Sequence, residues 1–204
     1  ELEELLAVLG YTTRINDEIG QSASSLIQPT VYAHPEGRKA VFVGDLVDRG
    51  PRVLDTVQLV ASMVAAGTGI CVPGNHDMKL LRKLSGKNPR ITHGLAQTMA
   101  EIDALPNDVR EPFCKELVTF LDGLVSHYVL DNGKLIVAHA GMKEELQGRG
   151  SGKVREFALY GETTGETDEF GLPVRYNWAA EYRGSASVVY GHTPVPEPEW
   201  LNRT

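Results

Sequence analysis

The chain is poor in features that define several large protein classes. Its two cysteines among 204 residues, Cys71 and Cys114, form no CxxC pair and cannot build a disulfide framework. They read as reduced thiols of a cytoplasmic protein, with Cys71 in an apolar run and therefore in the core. No apolar stretch approaches the ~20 residues that span a bilayer, and no signal peptide is visible, so no membrane partner is expected. Basic charge is also scarce. Twenty Lys and Arg stand against 27 Asp and Glu, a net charge of −7. A field of that sign repels polyanions, which excludes a general nucleic-acid-coating module and confines such contacts to a strand end or to bound cations. Internal repeats and interior linkers are missing too, and the length suits one domain, residues 1–204, with a substantial core.

What is present is alternation. Four short apolar, β-prone runs, "AVFV" (40–43), "GICV" (69–72), "LIVA" (135–138) and "SVVY" (187–190), are interleaved with helix-period segments. The opening "ELEELLAVLGY" predicts a helix with Leu2, Leu5, Leu6 and Leu9 on one face. After Pro51, a first-turn proline, Leu54, Val57, Ala61 and Val64 keep helical spacing until Gly67. Residues 95–105 and 109–124 follow the same rule, and "YVLDNGKLIV" predicts a hairpin closed by a type I′ turn at Asn132-Gly133. The mixture implies an α/β fold. Residues 141–175, rich in glycine and charge, read as a long functional surface excursion.

Each apolar run ends in residues suited to metals or phosphate. "AVFV" leads to Gly44-Asp45, "GICV" to Gly74-Asn75-His76-Asp77, "LIVA" to His139 and "SVVY" to Gly191-His192. Ligands in open α/β sheets bind beyond the carboxyl ends of the strands, so these side chains are expected at one crevice. Any one of them alone is a turn former or a structural histidine. Four strand ends carrying O and N donors together are not. His34, His93 and His127 lie outside the pattern and read as structural.

Imidazole, carboxylate and amide oxygen form a borderline-hard donor set suited to Mn, Fe, Ni or Zn, without the thiolates of a structural zinc site. Two such ions about 3.5–4 Å apart would clamp an in-line displacement and lower the pKa of a bridging water toward ~7. Asp45 is the natural bridge, since a carboxylate can span two cations. Arg49 offers a planar fork for phosphate oxygens. His76 can protonate a leaving oxygen if a carboxylate orients its other nitrogen, and Asp48 is the candidate for that role, unless it only caps a turn or pairs with Arg49.

In this order "GDLVDRG", "GNHD", "AHAG" and "YGHT" resemble the binuclear metallophosphoesterases of the calcineurin-like, phosphoprotein-phosphatase type. The resemblance covers nearly the whole chain. It implies an α/β/β/α sandwich with the active site at the strand carboxyl ends. It also implies metal binding by Asp45, Asn75, His139 and His192, general-acid work by His76 with Asp48, and phosphate binding by Arg49. The stretch from Gly148 to Gly184, with "VVYGHTPVPEPEWLNRT", resembles the central phosphatase module of bacterial polynucleotide kinase-phosphatase. That implies removal of 2′,3′-cyclic, 2′- or 3′-phosphates from RNA ends by a metal-bridging hydroxide, with Mn or Ni. The partners would be kinase and ligase-like modules of the same polypeptide. Lys143, Arg149, Lys153 and Arg155 are then candidate RNA contacts, or simply a solvated charged face.

Two parts of the family pattern are missing. The Asp-x-His pair that supplies the remaining ligands of the first metal should lie just before the opening helix, and a later strand bearing an aspartate should follow "LNRT". The expectation is a chain cut at both ends, with the second metal site intact. The same scaffold also fits a protein phosphatase or a dinucleoside-polyphosphate hydrolase, or a catalytically silent metal- and phosphate-binding module.

Overall fold

The computed structural model describes residues 1–20, 26–167, 169 and 173–204. The chain divides into two compact units, Glu1–Cys71 with His76–Leu124, and Val72–Asn75 with Val125–Thr204.

The first unit contains α1 (Leu2–Val8), β1 (Thr12–Ile15), α2 (Asp17–Gly20), β2 (Thr30–Ala33), β3 (Ala40–Phe42), α3 (Val53–Ala65), β4 (Gly69–Cys71), α4 (Asn75–Leu84, whose first residue belongs to the other unit), α5 (His93–Asp103) and α6 (Asn107–Gly123). Strands β1 and β2 pair antiparallel, while β3 and β4 run parallel with Phe42 opposite Cys71. A parallel pair places both carboxyl ends at one edge. The turn Gly44–Gly50 leaves the sheet from that edge. Helix α3 buries Val53, Val57, Val60, Ala61 and Met63, and Glu101 of α5 accepts the N–H groups of Val53 and Leu54 at 2.9 and 3.2 Å. A side chain from another helix thus satisfies two donors that the α3 N-terminus leaves open. Cys71 is fully buried, and its thiol is pushed up by burial first and by the charge of Asp77 second.

The second unit contains β5 (His127–Leu130), β6 (Leu135–Ala138), α7 (Gly152–Tyr160), β7 (Thr163–Thr167), β8 (Pro173–Arg175), α8 (Trp178–Glu181) and β9 (Ser187–Val189). Strand β6 is central, antiparallel to β5 and parallel to β9. Its residues Ile136 and Ala138 pack with Met142, Val154, Phe157, Trp178, Tyr182 and Val188. Ser151 caps α7 by accepting the Val154 N–H at 3.2 Å, and Gly161 closes the helix at φ 67°.

All four apolar runs form strands, and the helices predicted after Pro51 and over 95–105 and 109–124 are present. Three sequence readings need correction. On α1 only Leu6 is buried, whereas Leu5 and Leu9 are about half exposed, so the apolar stripe is narrower than the periodicity predicts. The hairpin forms, but its loop spans four residues between Leu130 and Leu135, with Asp131, Asn132 and Gly133 all at positive φ. The register of the strands, not the Asn-Gly pair, sets that loop length. Residues 141–175 are mostly exposed, but they are not merely a surface excursion. They contribute α7, whose Val154, Phe157, Ala158 and Leu159 are buried, and the β7–β8 hairpin. Positions 168 and 170–172 of that stretch lie outside the described residues. The strands β1 and β2 and the helix α4 were not predicted, because their apolar patterns are too short to stand out.

Candidate active site

In the first unit the Gly44–Gly50 turn folds onto the start of α4 and α5. Asp77, fully buried, accepts the N–H of Asp45 and of Leu46 through its two carboxylate oxygens, each at 2.9 Å. Asp45 in turn accepts the His76 N–H at 3.1 Å. These bonds hold the turn in a conformation that non-glycine residues rarely adopt. Asp45, Asp48 and Arg49 have φ of 54°, 73° and 61°.

Asp48 and His76 form the tightest polar contact of this region, Oδ2 to Nδ1 at 2.5 Å. The Thr98 hydroxyl donates to the other Asp48 oxygen at 2.8 Å. Burial resists ionisation of Asp48, but the hydrogen bonds with His76 and Thr98 outweigh it and hold the carboxyl below its usual range. The bond to Asp48 is also the main reason the His76 imidazole is raised above its ordinary value, against burial and the charge of Arg49. Arg49 donates through Nη2 to His76 Nε2 at 2.8 Å. His76 is thus fixed at both nitrogens, one on a carboxylate and the other on a guanidinium. The approach is close because Gly94 has no side chain; a Cβ there would lie 2.7 Å from the Asp48 Cβ.

In the second unit three donors converge. His139, at the end of β6, has Nε2 3.1 Å from Asn75 Oδ1 and 2.9 Å from His192 Nδ1. The Gly191 N–H donates to the His139 carbonyl at 2.9 Å, which ties the ends of β6 and β9 together. His139 is buried and His192 half-buried, with φ 71°. Two imidazole nitrogens and an amide oxygen meeting at one point form a donor set that fits a borderline divalent cation.

Sequence reasoning singled out Asp45, Asp48, Arg49, Asn75, His76, His139 and His192 but gave no role to Asp77, Thr98 or Gly94. Asp77 was within reach, since it belongs to the quoted "GNHD". Thr98 and Gly94 carry no local signal, because their part depends on α5 packing against the turn. Lys143 pairs with Glu162 at 2.5 Å and stands 5.5 Å from the centre of the Phe157 ring, while Lys153 and Arg149 are exposed. His34 and His127 accept backbone N–H groups from Glu36 and Gly148.

The family model described as calcineurin-like phosphoesterase matches residues 21–196. The chain is a calcineurin-like phosphoesterase. It shares 49% identity over 171 residues with the protein described as bis(5'-nucleosyl)-tetraphosphatase PrpE [asymmetrical] of Geobacillus sp. (strain WCH70), covering 84% of this chain and 70% of that protein. The protein of the same description from Geobacillus thermodenitrificans (strain NG80-2) is 47% identical over 84% of this chain and 70% of its own length. The one from Bacillus subtilis (strain 168) is 41% identical over all 204 residues and 78% of its own length. As a calcineurin-like phosphoesterase the chain is a phosphoester hydrolase with a mixed α/β fold, of a family that uses divalent metals. The expected match to an RNA-repair phosphatase module is corrected by these relatives, whose description is of tetraphosphatases. The ordered metal and phosphate motifs are shared across the family and carry no information on the group beyond the phosphate.

Proposed function

We propose that this phosphoesterase hydrolyses bis(5'-nucleosyl) tetraphosphates unequally, giving a nucleoside triphosphate and a nucleoside monophosphate. Identity of 41% along the entire chain with a protein of that description is the observation that carries the reading. Water supplies the new P–O bond, one phosphoanhydride bond breaks, and the bond's electrons leave with a phosphate oxygen.

Asp45, Asn75, His139 and His192 are the residues we propose as metal ligands, and a divalent cation held there would supply Lewis-acid charge at the phosphoryl oxygens. Arg49 presents its fork to the non-bridging oxygens. While Arg49 donates to His76 Nε2, that nitrogen must be an acceptor. Moving the guanidinium onto phosphate releases Nε2, which takes up a proton from solvent, favoured by the Asp48 carboxylate on Nδ1, and gives it to the leaving oxygen. A phosphate leaving group needs that proton less than a ribose hydroxyl does. His76→Ala should therefore cost little on a tetraphosphate and much on a ribose phosphate.

The direct test supplies the protein with Mn and, in separate reactions, diadenosine tetraphosphate, a 2′,3′-cyclic nucleotide and a phosphopeptide. ATP and AMP are expected to appear with kcat/KM about 10²-fold above the other substrates. Preferred cleavage of the cyclic phosphate would return the chain to RNA-end chemistry and end the tetraphosphatase reading.

A further inference from the structure

A cavity of about 270 Å³ opens beside His192, entirely within the second unit. That is close to the lower end of the ~300–1,000 Å³ of ligand pockets, a size that suits one nucleoside. Tyr160, Tyr176 and Tyr190 line it. Tyr160 and Tyr176 are 42% and 54% exposed, and Tyr160 belongs to α7, whose other apolar residues are buried. Tyr190 is held by Trp178, with ring centroids 5.0 Å apart. Arg175 lines the same cavity and donates to the Thr193 hydroxyl at 3.2 Å; among the described residues no carboxylate pairs with its guanidinium. Of the two acids on the wall, Glu162 pairs with Lys143, and Glu199 is the other.

We infer that this cavity is a nucleoside subsite. Tyr160 and Tyr176 offer ring faces to the base at one end of the substrate, and Arg175 meets the phosphate next to that nucleoside. The chemistry follows from the wall. Open aromatic faces stack on any base, and a cation without a carboxylate partner seeks an anion. His192, one of the proposed metal ligands, lines the same cavity. The subsite rests on the tetraphosphatase reading for the remainder of the substrate and deepens it. Because the cavity suits one nucleoside, the two ends of a symmetrical dinucleotide are held differently, as unequal cleavage requires.

Two measurements test this, one of them independent of metal and turnover. Adenosine titrated against the metal-free protein, followed by intrinsic fluorescence, should saturate. Tyr176→Ala should weaken that binding about tenfold, within the range of one base–aromatic stack, while Tyr176→Phe should stay within about twofold of the wild type. With Mn, Tyr176→Ala should raise the ratio of the diadenosine tetraphosphate KM to the inhibition constant of inorganic tetraphosphate by about tenfold. Arg175→Gln should leave adenosine affinity within about twofold and raise KM, because its partner is a phosphate. Adenosine binding that is absent, or indifferent to Tyr176→Ala, overturns the subsite, as does an unchanged ratio. If the wild type binds adenosine in this way but does not cleave diadenosine tetraphosphate, the tetraphosphatase reading fails and the nucleoside cavity stands.

Discussion

Asp45, Asp48 and Arg49 all hold positive φ within the seven residues from Gly44 to Gly50. Left-handed backbone costs a residue with a side chain roughly 1–2 kcal/mol, and such strain persists only where neighbours over-determine it. Arg49 is exposed, so its conformation is dictated by the turn and not by burial. Arg49→Gly should therefore leave urea stability within about 1 kcal/mol, since relief of strain offsets the greater freedom of the unfolded chain. Its kcat/KM should nevertheless fall about 10²-fold. The Asp48–His76 pair gives a pH prediction. Asp48 is lowered and His76 raised, so once Nε2 is protonated and Arg49 has turned away from it, the charged pair contributes its full stability between the ordinary carboxylate and imidazole values, ~4 to ~6.5. That contribution is lost as pH falls through the lowered Asp48 pKa or rises through the raised His76 pKa. Urea melts of wild type and Asp48→Asn should differ most near pH 5–6, by about 2 kcal/mol, and the gap should narrow as pH rises through the raised His76 pKa, to what the Nδ1 and Thr98 hydrogen bonds contribute. A difference that stays constant to pH 9 would remove the charged pair from the account.

Elements position these residues through contacts that contain no catalytic group. Helix α5 approaches the turn at Gly94, where a methyl would meet the Asp48 side chain. Gly94→Ala should cost roughly 1–3 kcal/mol and, by displacing Asp48 from His76, lower kcat on a ribose phosphate far more than on a tetraphosphate. Gly123→Ala, at the open end of α6 with nothing within 4 Å, should change stability by less than about 1 kcal/mol and leave kcat alone. Asp77, in the first turn of α4, uses both oxygens on the Asp45 and Leu46 amides. Asp77→Asn keeps one acceptor and turns an NH₂ toward an N–H, so thermal melts should show a loss of about 1–3 kcal/mol. In the second unit Gly141 plays the part of Gly94. A Cβ there would lie 1.9 Å from the Trp178 ring, and φ is 109°, so only glycine lets the chain turn just after His139.

For the molecule as a whole, a cation held at His139 and its neighbours binds the native chain and not the unfolded one. Mn at about 100 times its Kd should then add about 2.7 kcal/mol of stability, which EDTA removes and His139→Ala abolishes. Unchanged melting with and without Mn would count against a metal there. Much of this was legible in the linear chain. Each apolar run became a strand, and the residues following those runs are the ones that come together as Asp45–His76, His76–Asp48–Arg49 and Asn75–His139–His192. They were legible because strand identity and strand-end chemistry are local, written in a few consecutive residues. Substrate class was not, since the phosphate-handling motifs say nothing of what lies beyond the phosphate. Only the folded chain decided that α7 would enter the core, that Asp77, Thr98 and Gly94 would fix the turn, and that Tyr160, Tyr176 and Arg175 would line one cavity. Each of those depends on residues far apart in sequence meeting in space, and no local pattern encodes such a meeting.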